Sequence, residues 1–158
     1  MQLPQLEALV DEIKTGKRVL PFPPGGFTLI GVIFTTLPAW VLCVSVLSEA
    51  FANEADIPVR AGLYLGGVFL LLPGTIIPGL LLLRGVKKAA IMMRFMLQLI
   101  LLLTSVVVLF SFVDNDISLL LVPTLLAVAL SVIGLMISYS PSFILLTEFC
   151  YLMRRKTD

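Results

Sequence analysis

Four stretches of this sequence, Phe27–Ser48, Ala61–Leu83, Ile91–Val113 and Ile117–Tyr139, each hold enough consecutive apolar residues to cross a bilayer as a helix, which takes about 20. Arg94 is the one charged residue inside them. A water-soluble fold has no core in which to hide this much apolar surface. The 158 residues are 59% apolar and 13% charged, against roughly 45–50% and 25% in soluble domains. The expected fold is an all-α integral membrane protein. Four transmembrane helices form an antiparallel bundle, with an amphipathic helix before it and an interfacial helix after it.

The chain divides accordingly into residues 1–26, a cytoplasmic amphipathic helix and Pro/Gly linker; 27–139, the four-span bundle; and 140–158, a cytoplasmic-side interfacial helix with a basic tail. Connections between the stretches are short, as at Asp114-Asn115-Asp116, and short connections make successive helices antiparallel neighbours. Orientation follows from the cations, which concentrate on cytoplasmic flanks. Lys14, Lys17 and Arg18 precede the first stretch; Arg84, Lys87, Lys88 and Arg94 surround the turn between the second and third; Arg154, Arg155 and Lys156 follow the fourth. The opposite loops carry Glu49, Glu54, Asp56, Asp114 and Asp116, with Arg60 as the single cation. Both termini are therefore expected in the cytoplasm. The polar first 26 residues do not have the form of a cleavable signal peptide, so the first stretch reads as an uncleaved anchor. Neither outer loop contains an Asn-x-Ser/Thr acceptor, and a bacterial inner membrane is the simplest location.

Residues Pro4 to Arg18 have helical periodicity, with Leu3, Leu6, Leu9, Val10 and Ile13 on one face and Glu7, Asp11, Lys14 and Arg18 on another. Such a helix lies on the cytoplasmic interface, as an anchor or as a docking helix for a partner. The segment from Pro141 to Arg155 cannot simply prolong the fourth span, because the joined helix would be roughly 55 Å long against a hydrocarbon core of about 30 Å. Ser140 suits an N-cap and Pro141 the first helical position, so a new helix is expected to start there. Within it, Glu148 either pairs with a cation of the inner turn or stays solvated among headgroups.

Several chemistries are disfavoured. The chain has no histidine, and its two cysteines, Cys43 and Cys150, form no CxxC motif; the topology puts them at opposite membrane faces, beyond disulfide reach. No metal set or cofactor is expected, and no nucleophile with a base or carboxylate pair gathers on one side to make an enzyme. A net charge of +1 gives no general attraction to nucleic acid. No ionisable residue lies at midplane, where proton relays and ion pathways keep theirs.

What remains are small residues, prolines and one amide. Gly62 and Gly66 form a GxxxG that permits close helix approach, and Thr124, Ala127, Ser131, Gly134 and Ser138 share one helical face of the fourth stretch. That face packs inside the bundle or against another subunit or partner. Pro73-Gly74 and Pro78-Gly79 interrupt the second stretch, freeing the carbonyls of Phe69 and Gly74. Such breaks build substrate sites in some transporters and are plain kinks elsewhere. Gln98 falls at the depth of Gly74, roughly 10–14 Å into the bilayer, and either donates to the Gly74 carbonyl or faces an adjacent subunit.

The expected function is that of a non-catalytic polytopic membrane protein, embedded in the lipid bilayer, that binds another membrane protein, a membrane-inserted segment or further copies of itself. A bacterial immunity or regulatory protein is one form of this. Small immunity proteins against pore-forming toxins resemble it in shape, having three or four spans and little soluble mass. The alternative is a subunit of an oligomeric channel or transporter for an uncharged or lipidic substrate.

Overall fold

The computed structural model describes residues 3–17, 19–52, 57–70, 72–114 and 121–155. Arg18, Glu54, Asp56, Leu71, Asp116, Lys156 and the start of the fourth apolar stretch at Ile117 lie outside these described residues. The elements are helices α1 (Leu3–Lys14), α2 (Gly26–Ala52), α3 (Ile57–Phe69), a π-helical turn (Leu72–Ile76), α4 (Ile77–Leu83), α5 (Lys88–Asp114), α6 (Leu121–Ser138) and α7 (Pro141–Arg155). No strand occurs among the described residues.

Four segments are long and apolar enough to cross a membrane: Gly26–Glu49, Ile57–Leu83, Lys88–Leu109 and Leu121–Ser138. They coincide with the four stretches expected from sequence, with shifted ends. Four such helices are compatible with a multi-pass membrane protein.

The bundle centres on α2, which packs on α6, α3 and α5, while α5 also packs on α6 and α4. Side chains between helices are small where backbones come closest. A Cβ on Gly134 would stand 2.7 Å from Thr35 Oγ1 of α2 and 2.9 Å from Leu97 Cδ2 of α5, so α6 can lie this near its neighbours only with glycine there. Several hydroxyls buried in these contacts turn back onto their own helices. Thr36 donates to the Val32 carbonyl at 2.6 Å, Thr104 to Ile100 at 2.8 Å and Ser131 to Ala127 at 2.8 Å. This satisfies each polar group without water.

A second core closes one end of the bundle. Leu6 and Val10 of α1 and Phe143, Leu146, Phe149, Cys150 and Leu152 of α7 pack with Leu29 and Val32 of α2, Leu82 of α4 and Ala89, Ala90 and Met93 of α5. Helix α7 begins as its sequence suggests, since the Phe143 N–H donates to Ser140 Oγ at 3.3 Å with Pro141 at the first helical position. Two left-handed glycines receive it. Gly25 (φ 77°) abuts the Ser142 backbone carbonyl, and a Cβ on Gly85 (φ 78°) would lie 2.6 Å from the Cys150 carbonyl oxygen. Both positions need glycine twice over, for backbone conformation and for space.

Across this end the Lys87 ammonium donates to both Glu148 oxygens at 2.7 Å and stands 4.1 Å from the centre of the Tyr151 ring. Of the two sequence alternatives for Glu148, the structure has the ion pair.

Candidate functional site

The second apolar segment is the irregular one. Each proline deletes a donor, and around Pro73, ahead of Pro78, the backbone widens into a π-helical turn, Leu72–Ile76. Pro38, by contrast, is accommodated inside continuous α2. Just before the break, the Gly67 carbonyl accepts from the Trp40 indole Nε1 of α2 at 2.7 Å and also from the Leu70 N–H at 3.2 Å. Gly67 is pressed against Val44, with only 2.6 Å from a notional Cβ to Val44 Cγ1. At the far end of the same contact, Arg60 pairs with Glu49. One face of α3 is thus fastened to α2.

Nothing among the described residues meets the other face of α3. No described residue of α3 is buried, and a Cβ on Gly62 or Gly66 would have no described heavy atom within 4 Å. At 100° per residue both glycines point away from Arg60 and Gly67, between Val59, Leu65 and Phe69, which are 54%, 62% and 68% exposed. Among the described residues the GxxxG makes no contact within the bundle and forms an open, shallow strip flanked by large apolar side chains.

The second small-residue face has the opposite fate. Thr124, Ala127, Ser131, Gly134 and Ser138 are the buried residues of α6, turned onto α2 and α5. Of the two settings weighed for that stripe, the structure has it within the bundle.

Around the break, Pro73, Gly74 and Pro78 form one wall of an apolar groove of about 520 Å³, with Trp40 of α2 and Met92, Phe95 and Met96 of α5 lining the rest. The expected pairing of Gln98 with the Gly74 carbonyl is not the geometry found. Gln98 is exposed on α5, whereas Met96 lies against Gly74, so close that a Cβ there would collide with its methyl group. Depth alone predicted the pair. The two residues share a depth, but the rotation of α5 offers Met96, two positions earlier and nearly opposite on the helix, to the break. Thr75 is buried in the π-helical turn, and its hydroxyl has no partner among the described residues.

Two polar contacts escaped sequence reasoning. Trp40, the chain's single tryptophan, was legible only as an apolar residue with one donor that burial would oblige to find an acceptor. Arg94, placed by sequence only beside the turn between the second and third stretches, donates through Nη2 and Nε to the Ser138 carbonyl at 2.7 and 3.2 Å and lies 4.3 Å from the Tyr139 ring centre. It caps the C-terminus of α6 where the helix stops before Pro141.

Among the described residues no group of His, Cys, Asp or Glu is arranged to hold a metal ion. No protein-family model matches the chain, and neither a curated protein nor a solved structure is detectably similar to it.

Proposed function

We propose that this chain is a four-span antiparallel membrane protein that binds another membrane-inserted helix through the outward face of α3. The observation carrying this reading is the GxxxG, Gly62 and Gly66, open among the described residues on α3, a helix with no buried residue. In a bilayer, apolar surface alone does not drive helix association. Close backbone approach at small residues does, through packing and interhelical polar contacts. Thr124, Ala127 and Ser131 are already used inside the bundle, leaving α3 as the surface of that kind still open.

Orientation rests on charge. Lys14, Lys17, Arg84, Lys87, Lys88, Arg154 and Arg155 belong to the end closed by α1 and α7, which supports both termini and both flanking helices lying at a cytoplasmic interface. A bacterial inner membrane, and an immunity or regulatory role there, fits the loops, which hold no Asn-x-Ser/Thr acceptor. Catalysis is no part of this reading. A second reading, a subunit of an oligomeric channel or transporter for an uncharged or lipidic substrate, draws on the apolar groove at the helix break.

The test is association in native membranes. Gly62→Leu and Gly66→Leu should abolish co-purification of the partner, or of a differently tagged second copy, while abundance and thermal stability stay at wild-type values. Association unchanged in the double variant would remove α3 as the interface.

A further inference from the structure

The end of α4 and the last turns of α7 enclose a cleft of about 590 Å³, lined by Leu81, Leu83, Arg84, Cys150, Met153 and Arg154. We propose that this cleft binds the phosphate of an anionic phospholipid, the two guanidiniums holding the head group and the apolar walls the first part of an acyl chain.

The cleft is built by a tight turn between α4 and α5. Leu83 ends the second candidate span and Arg84 follows it directly. Gly85, at φ 78°, lets the chain pass within van der Waals contact of α7, where its notional Cβ stands 2.8 Å from Arg154 Cβ. Arg84 and Arg154, 70 residues apart in sequence, thereby flank one opening. The Arg84 guanidinium has no ion-pair partner among the described residues. The nearby acid on α7, Glu148, is held through both its oxygens by Lys87 and does not compete.

The walls identify the ligand class. Leu81 and Met153 are half-buried and Leu83 is 50% exposed, so a free inorganic anion would leave the outward apolar part of these walls uncovered. A phospholipid matches both halves, because the cleft begins where the apolar span ends and so lies at headgroup depth if α4 spans the bilayer. Basic pockets between helices at the cytoplasmic edge are suited to such head groups, and planar guanidiniums bind phosphate oxygens two at a time. The proposal rests on the four-span reading and is independent of the α3 interface. Retention of the protein in carbonate-washed membranes checks the spanning reading separately.

The experiment is native mass spectrometry of the full-length protein released from detergent, titrated with phosphatidylglycerol, with phosphatidylcholine of the same acyl chains, and with inorganic phosphate. Phosphatidylglycerol should be retained preferentially. Arg84→Gln and Arg154→Gln should each weaken it roughly five-fold and the double variant roughly 25-fold, while Arg155→Gln, outside the lining, leaves it unchanged. Arg84→Lys with Arg154→Lys keeps the charge and should recover part of the binding. Equal retention of the two lipids by the wild-type protein would overturn the proposal even if the glutamine variants fail to fold. Wild-type affinity in a folded double variant would overturn it too, as would binding of inorganic phosphate as tight as that of the lipid.

Discussion

The indole Nε1 of Trp40 donates to the backbone carbonyl of Gly67 at 2.7 Å, joining the middle of α2 to α3 just ahead of the π-helical turn. The bond holds the irregular part of the second segment against the bundle's central helix. Trp40→Phe deletes the donor and also one ring of a buried side chain, and should lower stability by about 0.6–1.7 kcal/mol for the bond plus a cavity cost of about 1 kcal/mol or more. Thermal unfolding in detergent reads this as a fall in Tm, and an unchanged Tm would mean that the bond contributes nothing.

Gly67 itself is limited by Val44 of α2. Gly67→Ala gains about 1 kcal/mol of helix propensity but must displace a buried branched side chain, an overpacking cost of about 1–3 kcal/mol. The variant should be destabilised in the wild-type background and neutral or stabilised when Val44→Ala makes room. Equal effects in the two backgrounds would show that the contact is not tight.

Arg94 satisfies the Ser138 carbonyl at the end of α6 and lies over the Tyr139 ring. Arg94→Gln removes a cation from a helix C-terminus and from an aromatic face together, and should cost about 1–2 kcal/mol. Arg155→Gln, exposed at the end of α7, should cost far less. The comparison of the two melting temperatures decides whether the capping geometry or charge alone matters.

The two small-residue faces should separate cleanly. Ala127→Leu and Ser131→Leu force volume into the contact of α6 with α2 and α5 and should broaden the size-exclusion profile and lower Tm, because buried sites have nowhere to put about three extra carbons. Gly62→Leu, with open space around it, should leave both measurements unchanged. Wild-type behaviour of Ala127→Leu would contradict the packed α6 interface.

Cys150, outside the spanning segments, is buried, and burial pushes its thiol up to about 11 from an ordinary value near 9. The thiolate is the reactive form. In a Cys43→Ala background, alkylation should therefore rise about tenfold per pH unit well past pH 9 and level off near pH 11. The linkage has the same sign: keeping the thiol neutral contributes stability fully below the ordinary value, and that contribution is lost as pH rises toward 11. A reaction rate that plateaus near pH 8.5 would place the thiol in contact with water.

The sequence by itself determined the four apolar segments, the new helix at Pro141 and the position of the second-segment break. Each of these depends on information local to the chain: a run of apolar residues long enough to span, a proline without a donor, a serine able to cap. It also identified both small-residue faces, since helical periodicity alone puts Thr124, Ala127, Ser131, Gly134 and Ser138 in line. Which face is covered was decided only by the tertiary structure, because helical periodicity defines a face but not what it meets. The α6 stripe is buried against α2 and α5, and Gly62 with Gly66 is left open. The same limit explains Gln98. Its depth followed from counting residues, but its direction followed from the rotation of α5 in the bundle, which turns Met96 to Gly74 and the amide outward. Arg84 and Arg154 came to share one cleft for a like reason: a left-handed glycine brings distant parts of the chain together, and no spacing in the sequence records that approach.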